Sequence, residues 1–165
     1  MGLRQAVADH LGTTQVTRVI YGAIIGLALV VALEHHSPGA GTVAALLIGS
    51  AIAVGLAELY SEIVGSQVRT RRRLRRGEIP PLLDEAVAVT LGAAFPAVFF
   101  VLAGLDVMEE HTAFTLAKWT GLGLIAFYGF CAGKLAGESL LGAFVQAVAV
   151  ALVAGALIAL KAVLH

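Results

Sequence analysis

The chain has 165 residues, of which 59% are hydrophobic and 13% are charged, a composition too apolar for an ordinary soluble domain. Its formal net charge is zero, but this balance hides a strong asymmetry in where the basic residues lie. The single cysteine, Cys131, excludes an intramolecular disulfide. We expect residues 1–165 to form one membrane domain, since the length leaves little room for a soluble appendage.

Apolar stretches follow one another along the chain and are separated by short loops. An α-helix crosses roughly 30 Å of hydrocarbon in about 20 residues, and the stretches approach or reach that length. They are Val19–Leu33, Val43–Ile63, Ala86–Leu105, Thr112–Ala132 and Leu140–Leu160. We predict an all-α polytopic membrane protein with five transmembrane helices. No cleavage signature follows the first stretch, so it is predicted to stay as a membrane helix.

Basic residues concentrate in residues 66–81, between the second and third stretches, where Glu78 is the only acid. The arginines of this loop are Arg69, Arg71, Arg72, Arg73, Arg75 and Arg76. The positive-inside rule places the loop in the cytoplasm. The same count predicts a cytoplasmic N-terminal segment, residues 1–17, and a C-terminus outside the plasma (inner) membrane.

The arginine-rich loop is most simply a topology determinant that also contacts anionic lipid headgroups in the bilayer. Nucleic-acid binding would need a folded platform or interleaved aromatic residues, and the loop has neither. We therefore expect no nucleic-acid partner. Just after the loop, Asp84 and Glu85 are predicted to cap the third helix, because acids near a helix N-terminus offset its dipole.

Small residues recur at a spacing that lets helix backbones approach closely. Gly22 and Gly26 form a G-x-x-x-G pair in the first stretch, and Gly133 and Gly137 repeat this spacing after the fourth. Pro96 lies inside the third stretch and predicts a kink there. We expect a homodimer, with Gly22 and Gly26 at or near its interface.

Two acids in the second stretch are the strongest candidates for a functional site. Glu58 and Glu62 are four residues apart, so they share one face of a helix. An ionisable group at membrane depth costs on the order of 2.5–3.5 kcal/mol on insertion scales, and usually faces a bundle interior or an aqueous cavity. Paired carboxylates suit a divalent cation or a proton exchanged against one. The alternative is that both acids pair with nearby arginines at the membrane interface.

A second group of polar residues lies in the loops predicted to be outside. It consists of Glu34, His35, His36, Asp106, Glu109, Glu110 and His111. Imidazole and carboxylate groups from two loops could hold a transition metal, but their spacing matches no defined ligand motif. We favour solvated loops. No nucleophile–base pair, phosphate loop or cofactor motif is present, so we expect neither an enzyme nor a bound cofactor.

Short patterns in several stretches resemble those of the vacuolar iron transporter family. They are Tyr21-Gly22-Ala23 with Gly26-Leu27, Ala57-Glu58 with Ser61, Gly92-Ala93 with Pro96, and Gly133 with Gly137-Glu138-Ser139. The resemblance implies that family's five-helix fold, a dimer and a role for Glu58. It also implies transport of a divalent cation such as Fe²⁺ or Mn²⁺ with proton coupling.

The chain departs from the family pattern at positions that the family links to metal passage. Ile25 stands where the family has an aspartate, and Val54 where it has a methionine. The acidic segment between the second and third helices is replaced by the arginine-rich loop. These departures leave a second interpretation open, in which the protein is a non-transporting dimeric scaffold or partner-binding protein that kept the fold and lost the ion site.

Overall fold

The computed structural model describes residues 13–163, which form helices and short connections without a β-strand. The predicted all-α fold is confirmed for this part of the chain. Its helices are α1 Thr13–Glu34, α2 Ala40–Thr70, α3 Ile79–Ala94, α4 Ala97–Gly104, α5 Glu110–Leu135 and α6 Leu140–Val163. A short 3₁₀ turn, Arg76–Glu78, precedes α3. Most of the predicted N-terminal segment, residues 1–17, lies outside the described residues.

Three of these helices, α1, α2 and α5, are long and apolar enough to cross a membrane. The bent pair formed by α3 and α4 gives a fourth candidate span if the two helices are counted together. Leu140–Ala156, within α6, is apolar but shorter than the helices that qualify alone. Residues 13–163 thus contain three or four candidate spans, whereas the sequence predicts five. These apolar helices are consistent with an integral membrane protein.

The break between α3 and α4 lies at Pro96, where the sequence predicts a kink. The two helices are bent by 49° relative to each other. Proline has no N–H to donate and its ring clashes with the carbonyl one turn earlier, so a straight helix cannot continue through it. After the break, Phe99 donates its N–H to the Pro96 carbonyl at 3.2 Å.

Helix α1 packs along α3 with almost no space between the backbones. A Cβ atom at Gly22 would overlap the carbonyl of Val89, and one at Gly26 would overlap the carbonyl of Ala93. From the other side, a Cβ at Gly92 would overlap the carbonyl of Val19. Glycines on both helices therefore make this contact possible.

This contact corrects the expectation that Gly22 and Gly26 lie at or near an interface between two chains. Both glycines are buried against α3 of the same chain. A second copy therefore cannot pack on this face of α1 while α3 covers it.

Glycines also bring α5 and α6 together, but Gly137 has a different role from the one predicted. A Cβ at Gly129 would lie 3.2 Å from the Cα of Ala147, and one at Gly133 would lie 2.8 Å from the Cα of Ala143. A Cβ at Gly137 would meet nothing within 4 Å, and its φ of +84° is left-handed. Gly137 thus ends α5 in a Schellman turn, in which Glu138 donates its N–H to the Gly133 carbonyl at 3.1 Å.

The interior of the bundle is apolar. Phe100 and Phe114 meet edge to face, with ring centroids 4.6 Å apart, in a cluster that also includes Val30, Val43 and Leu47. Among the side chains that the structure describes, no polar or charged one is fully buried. The described charged side chains are thus all at least partly exposed.

The contact between α1 and α3 predicts a clear difference between glycines. Gly22→Ala and Gly92→Ala should each destabilise the protein by about 1–3 kcal/mol, the usual result of forcing a methyl group into a closed contact. Gly49→Ala is the matched control, because Gly49 is an exposed helical residue whose Cβ would meet nothing within 4 Å. Thermal unfolding in detergent micelles measures the effect. Equal stability of all three variants would contradict the close contact.

Candidate functional site

The first three helices meet at a group of charged side chains, which we call the Arg18 cluster. It consists of Arg18 from α1, Glu58 and Glu62 from α2, and Glu85 from α3. The three helices contribute residues that are far apart in sequence, since Arg18 and Glu85 are separated by 67 positions. The fold therefore brings Arg18 and Glu85 to the pair Glu58 and Glu62, which is the only part of the cluster that a local sequence pattern connects.

All three carboxylates accept hydrogen bonds from the same guanidinium. Arg18 Nη2 donates to Glu62 Oε1 at 2.7 Å and to Glu85 Oε2 at 3.0 Å, while Nη1 donates to Glu58 Oε1. Hydrogen bonds between ionised partners are roughly twice as strong as neutral ones. Arg18 thus links three helices through one rigid group.

Close helix packing positions this cluster. On α1, Gly22 follows Arg18 by one helical turn. On α3, Val89 contacts Gly22 and follows Glu85 by one turn. On α2, a Cβ at Gly55 would overlap the side chain of Thr90 of α3, close to the level of Glu58. Because small residues hold the three backbones close together there, Arg18 reaches acids on both neighbouring helices.

The cluster is partly open to its surroundings and carries surplus negative charge. Its side chains are 15–25% exposed, with Glu58 the most buried. Arg69, at the end of α2, contacts Glu62 at 3.5 Å but is itself 68% exposed. Three carboxylates therefore face two guanidinium groups, one of them at the rim, which leaves a net charge of −1 when all are ionised.

The structure places both predicted metal ligands, Glu58 and Glu62, in this cluster, where Arg18 bonds to them. These contacts match the alternative interpretation, in which the acids pair with arginines. Within residues 13–163, no group of three or more His, Cys, Asp or Glu side chains is arranged to hold a metal ion. As the cluster stands, Arg18 is the cation bound by these carboxylates.

The polar residues at the opposite end of the bundle form separate contacts. Lys118 of α5 donates to Glu34 of α1 at 2.6 Å, and Ser37 donates to Glu110. His35 and His36 are exposed. These pairs tie α5 to the end of α1 and the following loop, and the part of the chain that the structure describes shows no metal-ligand arrangement at this end.

A groove of about 660 Å³ between α5 and α6 does not extend the site. It is lined by apolar side chains such as Leu122, Phe144 and Leu152 and by small residues such as Ala147 and Gly155. It offers no ligand to a cation. The Arg18 cluster is therefore the better candidate for chemistry.

The arginine-rich loop has its own ion pair beside the cluster. Arg72 donates to the two carboxylate oxygens of Glu78 at 2.9 and 2.5 Å. These hydrogen bonds and the negative charge of Glu78 raise the pKa of the Arg72 guanidinium above its usual value. Arg72 and Glu78 thus form an ion pair within the loop.

Sequence reasoning missed Arg18 and Glu85 as members of the site. The sequence does not single out Arg18, and it predicts Glu85 to be a helix cap. The structure corrects this prediction, since α3 begins at Ile79 and Glu85 lies in its second turn, facing Arg18. The available signal was the cost of an acid predicted to lie at membrane depth, which a cation on a neighbouring helix can offset.

Comparisons of the chain with protein-family models, with curated proteins and with solved structures give no match. The resemblance to vacuolar iron transporters therefore remains a hypothesis that rests on the short patterns quoted above. In the structure, Gly22, Gly26 and Gly92 of those patterns lie at the contact between α1 and α3, and Glu58 lies in the Arg18 cluster. Ile25 and Val54, the departures from the family pattern, are both half-buried.

The cluster predicts that Arg18 is needed for stability. Arg18→Gln leaves three carboxylates facing one another without their central cation, which should destabilise the protein by about 2 kcal/mol, less than the loss at a fully buried pair. Arg76→Gln is the control, since this exposed loop arginine has no ion pair within residues 13–163.

Chemical unfolding in micelles measures both variants. Replacing Glu58 and Glu85 by glutamine as well should recover part of the stability lost in Arg18→Gln, because it removes the repulsion between the acids. An Arg18→Gln variant as stable as Arg76→Gln would contradict the structural role of the cluster.

Proposed function

We propose that the protein is an integral membrane transporter of a divalent cation, with the Arg18 cluster on its pathway. The observation that carries the proposal is the excess of carboxylates over guanidinium groups where the first three helices meet. An acid kept at membrane depth needs a cation or water to offset its desolvation. Three acids and one central arginine leave negative charge available to a second cation.

The substrate we propose is Fe²⁺ or Mn²⁺, exchanged against protons. Carboxylate oxygens are suitable ligands for such ions. A cation entering the cluster competes with Arg18 for Glu58 and Glu62, so binding of the ion requires the guanidinium to move away. Protonation of a carboxylate weakens its hold on the metal and releases it, which couples the two ions.

The proposal includes five membrane spans, as in the vacuolar iron transporters that the chain resembles. The fifth span is α6, whose 24 residues extend for about 36 Å at 1.5 Å per residue. The arginine-rich loop and the N-terminus are placed in the cytoplasm and the C-terminus outside the plasma membrane, by the positive-inside rule. A homodimer remains part of the proposal, with its contact on a face other than the one covered by α3.

A second candidate function is that of a membrane scaffold that transports nothing. Two observations favour it: each carboxylate of the cluster already bonds to Arg18, and residues 13–163 contain no group arranged to hold a metal. In this alternative the cluster only locks α1, α2 and α3 together. Ile25 and Val54, which replace residues linked to metal passage in the resembled family, agree with it.

Transport by reconstituted protein separates the two functions. Liposomes containing the wild-type protein should take up Fe²⁺ or Mn²⁺ at a rate that depends on the pH gradient. Glu58→Gln should reduce uptake to the level of empty liposomes, because glutamine keeps the size of the side chain but cannot carry its charge or proton.

The control variant replaces the exposed histidines, His35, His36 and His111, by alanine and should transport like the wild type. His35 and His36 lie in the turn after α1 and His111 lies in the first turn of α5, all at the opposite end of the bundle. Each variant is first shown to have wild-type helicity in micelles. If the stable wild-type protein moves neither ion, the scaffold function is the correct one.

A further inference from the structure

The loop between α2 and α3 concentrates positive charge at one end of the bundle. Residues 66–81, which include the last turn of α2 and the start of α3, contain six arginines and one acid, Glu78, a net charge of +5. Topology alone requires only that basic residues be present in this loop. The arrangement of their side chains indicates a more specific role.

Glu78 gives the loop a defined shape, because both of its carboxylate oxygens accept hydrogen bonds from within the loop. Its carboxylate accepts two hydrogen bonds from the Arg72 guanidinium and one from the backbone N–H of Arg75, the last at 2.8 Å. Arg71 ends α2 in a left-handed conformation, with φ of 51°. The loop is thus folded around its only acid, which is not free to neutralise further arginines.

Three arginines of the loop remain available to a ligand. The side chains of Arg71, Arg73 and Arg76 are exposed, and none of them has a hydrogen bond or ion pair within residues 13–163. A guanidinium presents its donors as a planar fork that fits two oxygens of a phosphate. These three side chains therefore present donors that suit phosphate oxygens.

The surface next to the loop indicates which phosphate compound can reach these arginines. Val64 and Val68 on α2 and Leu83 and Val87 on α3 are 40–71% exposed. On helices that cross a membrane, such side chains contact acyl chains, which places the loop at the level of the headgroups. The first turn of α3 contains Pro80 and Pro81, which have no N–H, so guanidinium groups are the main phosphate donors here.

We propose that Arg71, Arg73 and Arg76 bind the phosphate groups of anionic phospholipids. The proposal does not depend on cation transport, because it concerns another group of residues and is tested without a transport assay. A basic residue at an anionic membrane surface contributes about 1 kcal/mol, which corresponds to roughly a fivefold change in lipid association for each arginine.

Electron spin resonance of labelled lipids tests the proposal with the full chain in phosphatidylcholine bilayers. The wild-type protein should associate with spin-labelled phosphatidylglycerol in preference to spin-labelled phosphatidylcholine. Arg73→Gln should reduce this preference by about fivefold, and the variant with Arg71, Arg73 and Arg76 all replaced by glutamine should remove it. Unchanged helicity shows that these surface variants are folded.

Lys134→Gln is the matched control, because it removes one exposed basic side chain outside the loop. It should leave the preference unchanged. An equal loss in Lys134→Gln and Arg73→Gln would overturn the proposal, since the effect would then come from total charge. It would also be overturned if the wild type showed no preference, or if inorganic phosphate or an oligonucleotide displaced the lipid, because the site would then bind a soluble anion or a nucleic acid.

Discussion

The position of Arg18 among three carboxylates is the interaction on which the rest of the structure depends. Charges taken out of water lose several kcal/mol of hydration each, and only a close partner offsets that loss. Here one guanidinium bonds to Glu58, Glu62 and Glu85 on two neighbouring helices. The first three helices must therefore keep one relative register, because a shift of either neighbour along α1 would separate an acid from its cation.

The close helix contacts and the charge cluster require each other. Gly22 and Gly92 let the backbones of α1 and α3 approach, and this approach is what allows Arg18 to reach Glu85. Apolar side chains gain little by leaving lipid for protein, so packing of this kind supplies much of the association between membrane helices. The ion pairs make this association specific, because they determine which faces of the helices pack together. The same arrangement leaves the cluster as a whole with one more carboxylate than guanidinium groups.

Much of the helical architecture could be predicted from the sequence, because long apolar runs between polar loops specify membrane helices directly. The kink at Pro96 and the position of Glu58 and Glu62 on one helix face could also be predicted, because each depends only on neighbouring residues in the sequence. The start of α3 could not be predicted in this way, because Pro80 and Pro81 are as compatible with the first turn of a helix as with the end of one. The contact between Arg18 and Glu85 depends on how α1 lies against α3, and nothing within either segment determines that.

A double-mutant cycle between Arg18 and Glu85 tests the central claim most directly. Unfolding free energies would be measured in micelles for the wild type, Arg18→Gln, Glu85→Gln and the double variant. A shared ion pair predicts a coupling energy of about 1–3 kcal/mol, with Glu85→Gln stabilising the Arg18→Gln protein because it relieves repulsion from Glu58 and Glu62. If Glu85→Gln has the same effect with and without Arg18, the two residues act independently and the cluster does not hold these helices together.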